Sequence, residues 1–280
     1  MSYADNRFIF NVLKAQILNR HHWADPANNS LEAAANMFWD SVCENGVMHL
    51  NKVKFPDIRW YDGQGWYMWP VVYADSIMIH HLFEDDYSEA NCDLLESLGM
   101  DGPYCYKDIL VEKRDVVIDA GAFIGDWTCV AAQMGGNVYA FEPSPASWVT
   151  LKRCAELNNF KVVLEGLGNA VCDKMINTTV TPIGENINDT KGTPCHVTTV
   201  DKFAEEQNVH IDFIKADIEG YERNLILGAE RTLKEDCPKL ALRTYHNHGE
   251  DAFILPKMIH KINPDYTIVN RRKILYAEVK

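Results

Sequence analysis

From about residue 109 onward, runs of β-branched and apolar residues alternate with helically spaced segments. Strands are predicted at 116–119, 138–142, about 161–165, 211–217, 239–243, 266–270 and 274–279. Most are separated by enough chain for a crossover helix, so the sheet is expected to be doubly wound. The last two runs are joined only by Asn270-Arg271-Arg272-Lys273. That connection is too short for a parallel crossover, so these strands must form an antiparallel hairpin. Thr178 to Thr193, rich in Thr, Asn, Gly and Pro, is the longest loop-like stretch of this half.

Ahead of it, residues 5 to 20 show helical spacing, and Ser30 to Asn45-Gly46 reads as a second helix with a serine N-cap and a C-terminal glycine. His21, His22 and Trp23 lie between the two and are given no function. Trp60, Tyr61, Trp66, Tyr67 and Trp69 flank Asp62-Gly63 and Gln64-Gly65, the pattern of an aromatic hairpin, and Ser88 to Gly99 reads as a short capped helix. Two units result: an N-terminal extension or cap, 1–108, and a catalytic domain, 109–280.

The stretch Val116 to Thr128 organises the second unit. A strand ends in Asp119, and two small turn residues then lead past Gly121 to a helix opening at Ile124-Gly125, the place where an α/β sheet binds its ligand. A second buried strand ends in Glu142, about 20 residues beyond the first glycine, where such folds put an acid on the ribose hydroxyls. The middle glycine of G-x-G-x-x-G is missing, and a carboxylate beside the loop would repel a pyrophosphate. It would suit a nucleoside carrying an ammonium and a sulfonium, and S-adenosyl-L-methionine (SAM) is such a ligand. Asp119, Gly121, Gly125 and Glu142 are therefore the expected cofactor residues. Ala122, Phe123, Ile124 and Thr128 are expected to line the methionine end, and Asn169 to reach the adenine.

The segments DAGAFIGDWT, FEPSPASWVTLKRCAELN and IDFIKADIEGYERNLILGAERTL together resemble the FkbM-type family of class I SAM-dependent methyltransferases. The resemblance covers about residues 100 to 280, and F-E-P-x-P combined with I-K-x-D-x-E-G-x-E carries most of it. It implies a doubly wound, Rossmann-like α/β sheet with an antiparallel last strand, here following an N-terminal helical and aromatic extension. It also implies that Asp217 and Glu219 belong to the active-site motif, and that a tyrosine near Tyr104 approaches the cofactor. Tyr245-His246 with Glu250-Asp251 matches a pair and an acidic dipeptide of the family, which usually has Asn where this chain has Phe123.

With 27 basic and 40 acidic side chains the formal charge is −13, which opposes phosphate backbones and anionic membranes. Nucleic acid is disfavoured as acceptor; Arg271-Arg272-Lys273 reads as a solvated turn. The 8 cysteines form no C-x-x-C pair, so they read as reduced structural thiols. The N-terminal apolar residues are interrupted by Asn11, Lys14 and Gln16, unlike a signal peptide or membrane span, and a cytoplasmic location is the default expectation.

Methyl transfer is an in-line displacement that requires alignment and exclusion of water. Asp217, at a strand tip, is expected to stay ionised and orient the acceptor; Glu219 is a second candidate, with helix capping as its alternative. His246 is expected to be the general base, its ordinary pKa suiting neutral pH. No metal is demanded. A divalent site from Asp217, Glu219, His246 and His248 is the lesser alternative, since two histidines suit a hard ion poorly. The expected function is O-methylation of a small-molecule or sugar-like hydroxyl. The rivals are a non-catalytic SAM- or nucleoside-binding protein and, weakened by the missing glycine and Asp119, a nicotinamide-dependent oxidoreductase.

Overall fold

The computed structural model describes residues 43–50, 52–56, 75–83, 86–97, 103–177, 185–188, 190–271 and 273–280. The predicted helix at 5–20, most of the one from Ser30, and the aromatic stretch 60–69 lie outside them.

Seven strands form the main sheet: β4 (Val116–Ala120), β5 (Asn137–Phe141), β6 (Lys161–Val163), β11 (Phe213–Ala216), β12 (Lys239–Arg243), β13 (Tyr266–Arg271) and β14 (Ile274–Val279). Their spatial order is β13-β14-β12-β11-β4-β5-β6. The pairs among β12, β11, β4, β5 and β6 are parallel, while β14 runs antiparallel to both β12 and β13. This is the predicted doubly wound Rossmann-like sheet of class I methyltransferases with its antiparallel last strand. Its central strands are buried on both faces, which is why they read as continuous apolar runs.

Helices α3 (Asp126–Met134), α4 (Trp148–Asn158), α5 (Val200–Gln207), α6 (Glu222–Leu227), α7 (Glu230–Glu235) and α8 (Asp251–Ile262) supply the crossovers. On one face Val117, Trp127, Leu151, Phe213 and Tyr276 share a core with Met48, Phe55 and Ile77 from the N-terminal segments. On the other, Ile118, Phe141, Phe203, Leu225 and Leu255 pack together. The described N-terminal part is thus built into the hydrophobic core. It comprises β1 (Cys43–Glu44), β2 (Val47–Leu50) and β3 (Val53–Pro56), then α1 (Asp75–Phe83) and α2 (Glu89–Ser97), the last as predicted.

Three expectations are corrected. The helix expected to end at Asn45-Gly46 gives way to an antiparallel hairpin, with Cys43 opposite Met48 and both Asn45 and Gly46 at positive φ, 52° and 77°. Asn-Gly is the strongest two-residue hairpin signal. Secondly, the loop-like stretch after residue 178 contributes β9 (Ile187–Asn188) and the start of β10 (Thr193–Thr198) to a second sheet, ordered β7-β10-β8-β9 with β7 (Gly166–Leu167) and β8 (Cys172–Ile176). Arg271, read as part of a solvated turn, instead bonds Asp93 and lies 3.3 Å from Glu89, clipping α2 to the terminal hairpin. All eight cysteines are free, and no described helix is long and apolar enough to cross a membrane.

Candidate active site

A cavity of about 280 Å³ opens at the carboxyl ends of β4, β5, β11 and β12. The β4–α3 loop forms its floor. Gly121 and Ala122 both donate their N–H groups to the Phe141 carbonyl at 3.0 Å, and Gly125 N–H closes the turn on Ala122 at 2.8 Å. Gly121 has φ +73°, and a Cβ there would stand 2.0 Å from the Asp217 carbonyl oxygen. Only glycine lets the loop pass so close to the tip of β11. At Gly125, also left-handed, a Cβ would press on Leu151 and Cys154 of α4. Both glycines thus serve close packing of the protein's own elements.

Glu142 is held rigidly. The Phe123 N–H donates to its Oε2 and the Ser144 N–H to its Oε1, each at 2.8 Å. Each oxygen keeps acceptor capacity, and the residue lines the cavity. Burial raises its pKa to about 7, against the two backbone donors and the Lys215 charge, with Glu185 adding a further upward push. Phe123 reaches Glu142 by adopting φ +51°. That left-handed conformation is one asparagine tolerates well and phenylalanine poorly, which gives a backbone reason for the asparagine usual here in the resembled family.

Asp119 departs from expectation. It is fully buried, accepts from the Thr128 hydroxyl at 2.5 Å, and lies 2.8 Å from Lys215 Nζ. Lys215 stands opposite it in the β4–β11 ladder and also donates to the Gly121 carbonyl at 2.8 Å. The carboxylate is spent inside the protein, so it fixes the loop and does not face a ligand. Ala122, Ile124 and Thr128 are likewise buried, and with Gly125 they stand behind the floor; among the loop residues expected to bind, Gly121 and Phe123 line the cavity. Asn169 is exposed and lines nothing, because the chain after β6 turns into β7 and the second sheet. Gly166, Leu167, Ile176, Glu185 and Ile187 make that wall instead.

Asp217 and Glu219 also line the cavity, and His246 stands behind them. Asp217 Oδ2 accepts from the Tyr104 hydroxyl at 2.5 Å and from Arg243 Nε at 3.2 Å. Burial opposes its ionisation, but Arg243, Lys215, Tyr104 and His246 outweigh burial and hold its carboxyl below the usual range. Glu219 adopts φ +53°, and its Oε2 lies 3.1 Å from His246 Nε2. On the other side of the ring, Nδ1 is 3.2 Å from Oε1 of the fully buried Glu222, which also accepts the Ile218 N–H at 3.0 Å. Burial of His246 favours its neutral form, yet Glu219, Glu222 and Asp217 prevail and lift its pKa to about 10. An imidazole among three carboxylates holds a cation at neutral pH, so the expected role of free general base is corrected. His248 is exposed and stays outside the cluster.

Lys215, Arg243 and Glu185 were not singled out from the sequence. For the first two a signal existed: a lysine inside Phe213–Ala216 and an arginine ending Lys239–Arg243 must find partners once buried. Tyr104 lines the cavity beside Trp127.

The donor set suits SAM. Five carboxylates (Asp126, Glu142, Glu185, Asp217, Glu219) face the cavity against two cations, Lys215 and Arg243, a balance that attracts a positively charged ligand. Glu142 offers fixed acceptors for a hydroxyl pair, and Tyr104, Trp127 and Phe141 give apolar wall.

Two solved structures are similar to part of this chain. A methyltransferase FkbM from Methylobacillus flagellatus KT is 23% identical, with a TM-score of 0.50 over 74% of this chain and 53% of that one, so the chain spans about half that protein's length. An Aeropyrum pernix fibrillarin with natively bound SAM is 13% identical, with a TM-score of 0.40 over 69% of this chain and 74% of that one. No curated protein matches. The methyltransferase FkbM domain profile matches residues 119–267. Since that is more than half of the 280 residues, the chain belongs to the FkbM family of SAM-dependent methyltransferases.

Proposed function

We propose that the protein methylates a hydroxyl oxygen of a small-molecule or sugar-like acceptor. One observation carries this reading: a single cavity is lined by Glu142, whose carboxylate is fixed by two backbone donors, and by Asp217 and Glu219, with His246 behind them. SAM supplies an electrophilic methyl group on a sulfonium that becomes neutral on transfer. The chain's own residues bind, orient and dry the site. Glu142 takes the ribose hydroxyls, while Phe123, Tyr104 and Trp127 exclude water. Asp217, kept ionised by its cationic neighbours, sets a negative potential where positive charge is to be held. Glu219 lines the cavity with its side chain 31% exposed, and is within reach of an acceptor hydroxyl, whose proton it takes. His246 fixes the direction of Glu219.

Ile79, Tyr87 and Tyr104, all from the first 108 residues, line the same cavity. They support a role for that extension in shaping the acceptor pocket. The net charge of −13 and the acidic lining argue against RNA as acceptor.

The test is a panel of acceptors presenting a hydroxyl or an amine on the same scaffold, with methylated product read by mass spectrometry. Transfer to the hydroxyl members is expected, and transfer confined to the amines would contradict O-methylation. On this reading Glu219→Gln lowers turnover by about 10²–10⁴ and leaves affinity for S-adenosylhomocysteine (SAH) near wild type.

A further inference from the structure

We propose that Asp217 Oδ1, Glu219 Oε2 and His246 Nε2 bind one divalent first-row metal ion of the manganese type, with sites left open toward the cavity. The three donor atoms lie within 4.8 Å of one another. Nε2 is 3.1 Å from Glu219 Oε2 and 3.8 Å from Asp217 Oδ1. Metal–ligand bonds of about 2.0–2.2 Å at roughly right angles put neighbouring donors about 3 Å apart, so small adjustments close the shell.

The surroundings point the same way. Asp217 Oδ1 and His246 Nε2 are buried atoms with no partner in hydrogen-bond geometry, and the imidazole is 8% exposed. Arg243 and Tyr104 occupy Oδ2, the other oxygen of Asp217, which leaves Oδ1 turned to the histidine. Behind the ring, Glu222 faces Nδ1, and its Oε1 is a fully buried acceptor. A carboxylate on the far nitrogen is the usual support of a metal-bound histidine, fixing the tautomer with its lone pair on Nε2. Without a metal that nitrogen carries the imidazolium proton toward the two carboxylates, and a bound cation would take the proton's place between them.

One imidazole with two carboxylates is a mixed set, softer than magnesium or calcium prefer and harder than thiolate-seeking ions prefer. His248, which would have made the set more nitrogen-rich, is exposed and takes no part. The proposal runs against the expectation from sequence that no metal is needed.

The site deepens the proposed function and rests on it only for its use. A hydroxyl coordinated beside Asp217 and Glu219 becomes a stronger acid. Its proton passes to Glu219 or solvent, its oxygen forms the new C–O bond, and the C–S electron pair remains on sulfur. The ion changes neither charge nor oxidation state.

Metal-free protein titrated with Mn²⁺ alone, followed by the electron paramagnetic resonance signal of the free ion, tests the site without any acceptor or turnover. The expected result is saturable loss of the free signal at one ion per chain. Affinity should fall at least tenfold in Glu219→Gln and in His246→Ala, and by about 10–100-fold in Glu222→Gln, a positioning residue. SAH affinity measured in parallel shows that each variant is folded and that the cofactor site stands by itself. Failure of SAH binding would count against the methyltransferase site. An undiminished Mn²⁺ signal, or binding equal in wild type and both ligand variants, would overturn the metal site and leave the cluster holding only the imidazolium proton.

Discussion

Glu142 combines two demands that conflict. Its carboxylate must be dry to be rigid, yet ionised to accept strongly from hydroxyls. Burial keeps it protonated until about pH 7, with Lys215 pulling that value down and Glu185 pushing it up. A folded-state pKa raised above the ordinary carboxylate value means that this group favours the folded state most below that ordinary value. The contribution is lost as pH rises through about 7. Binding a hydroxyl pair favours the ionised form, so SAH affinity should rise between roughly pH 6 and 8 and binding should release a proton. Calorimetry in buffers of different ionisation enthalpy reads that proton. Glu142→Gln should be weaker and flat across this range; an unchanged slope in that variant would assign the titration to another group.

Lys215 illustrates how a residue can be decisive without touching the chemistry. It is 4% exposed and faces the fully buried Asp119. Lys215→Met should destabilise the protein by about 3–5 kcal/mol by stranding that charge. Lys215→Met with Asp119→Asn should recover part of the loss. Urea titrations compare the two, and a double variant no more stable than the single would mean that the pair is not the cause.

At the level of elements, the β4 loop is fitted to the tip of β11 by the missing side chain of Gly121. Gly121→Ala would need the Asp217 carbonyl to move away from a Cβ drawn 2.0 Å from it, with a left-handed backbone besides. Lower thermal stability and at least a tenfold loss of SAH affinity should appear together. Wild-type affinity in this variant would show that the loop and Asp217 are not coupled. The central strands of the main sheet were legible because burial on both faces leaves uninterrupted apolar runs, and the terminal hairpin because its connection is four residues long. The second sheet was not. Its strands, such as Cys172–Ile176 and Thr193–Thr198, carry only a small core of Ile176, Cys195 and Val197, so the apolar alternation, as at Cys195 and Val197, is too short to mark a strand. The Asn45-Gly46 signal was present and was read as a helix end because Gly serves both uses.

Across the whole molecule, the doubly wound sheet and its terminal hairpin followed from pattern and spacing, whereas the roles of side chains within the site depended on contacts between residues far apart in sequence. Asp119 and His246 show this best. Each is a plausible ligand-facing group by position, and each proves to be claimed by partners 24 to 96 residues away: His246 by Glu222, Asp119 by Lys215. Tyr104, 113 residues from Asp217, does the same for that acid. The acidic balance of the cavity belongs to this scale as well. Because SAM is cationic at sulfur and SAH is not, raising ionic strength should weaken SAM more than SAH; equal weakening would deny that the lining selects for charge.

Titration calorimetry of SAH against wild-type protein and Glu142→Ala tests most directly the claim that this cavity is the methyl-transfer site. The expected result is stoichiometric binding to wild type and a loss of about 1.5–3 kcal/mol, tenfold or more, in the folded variant. No binding to wild type, or unchanged affinity in Glu142→Ala, would contradict it.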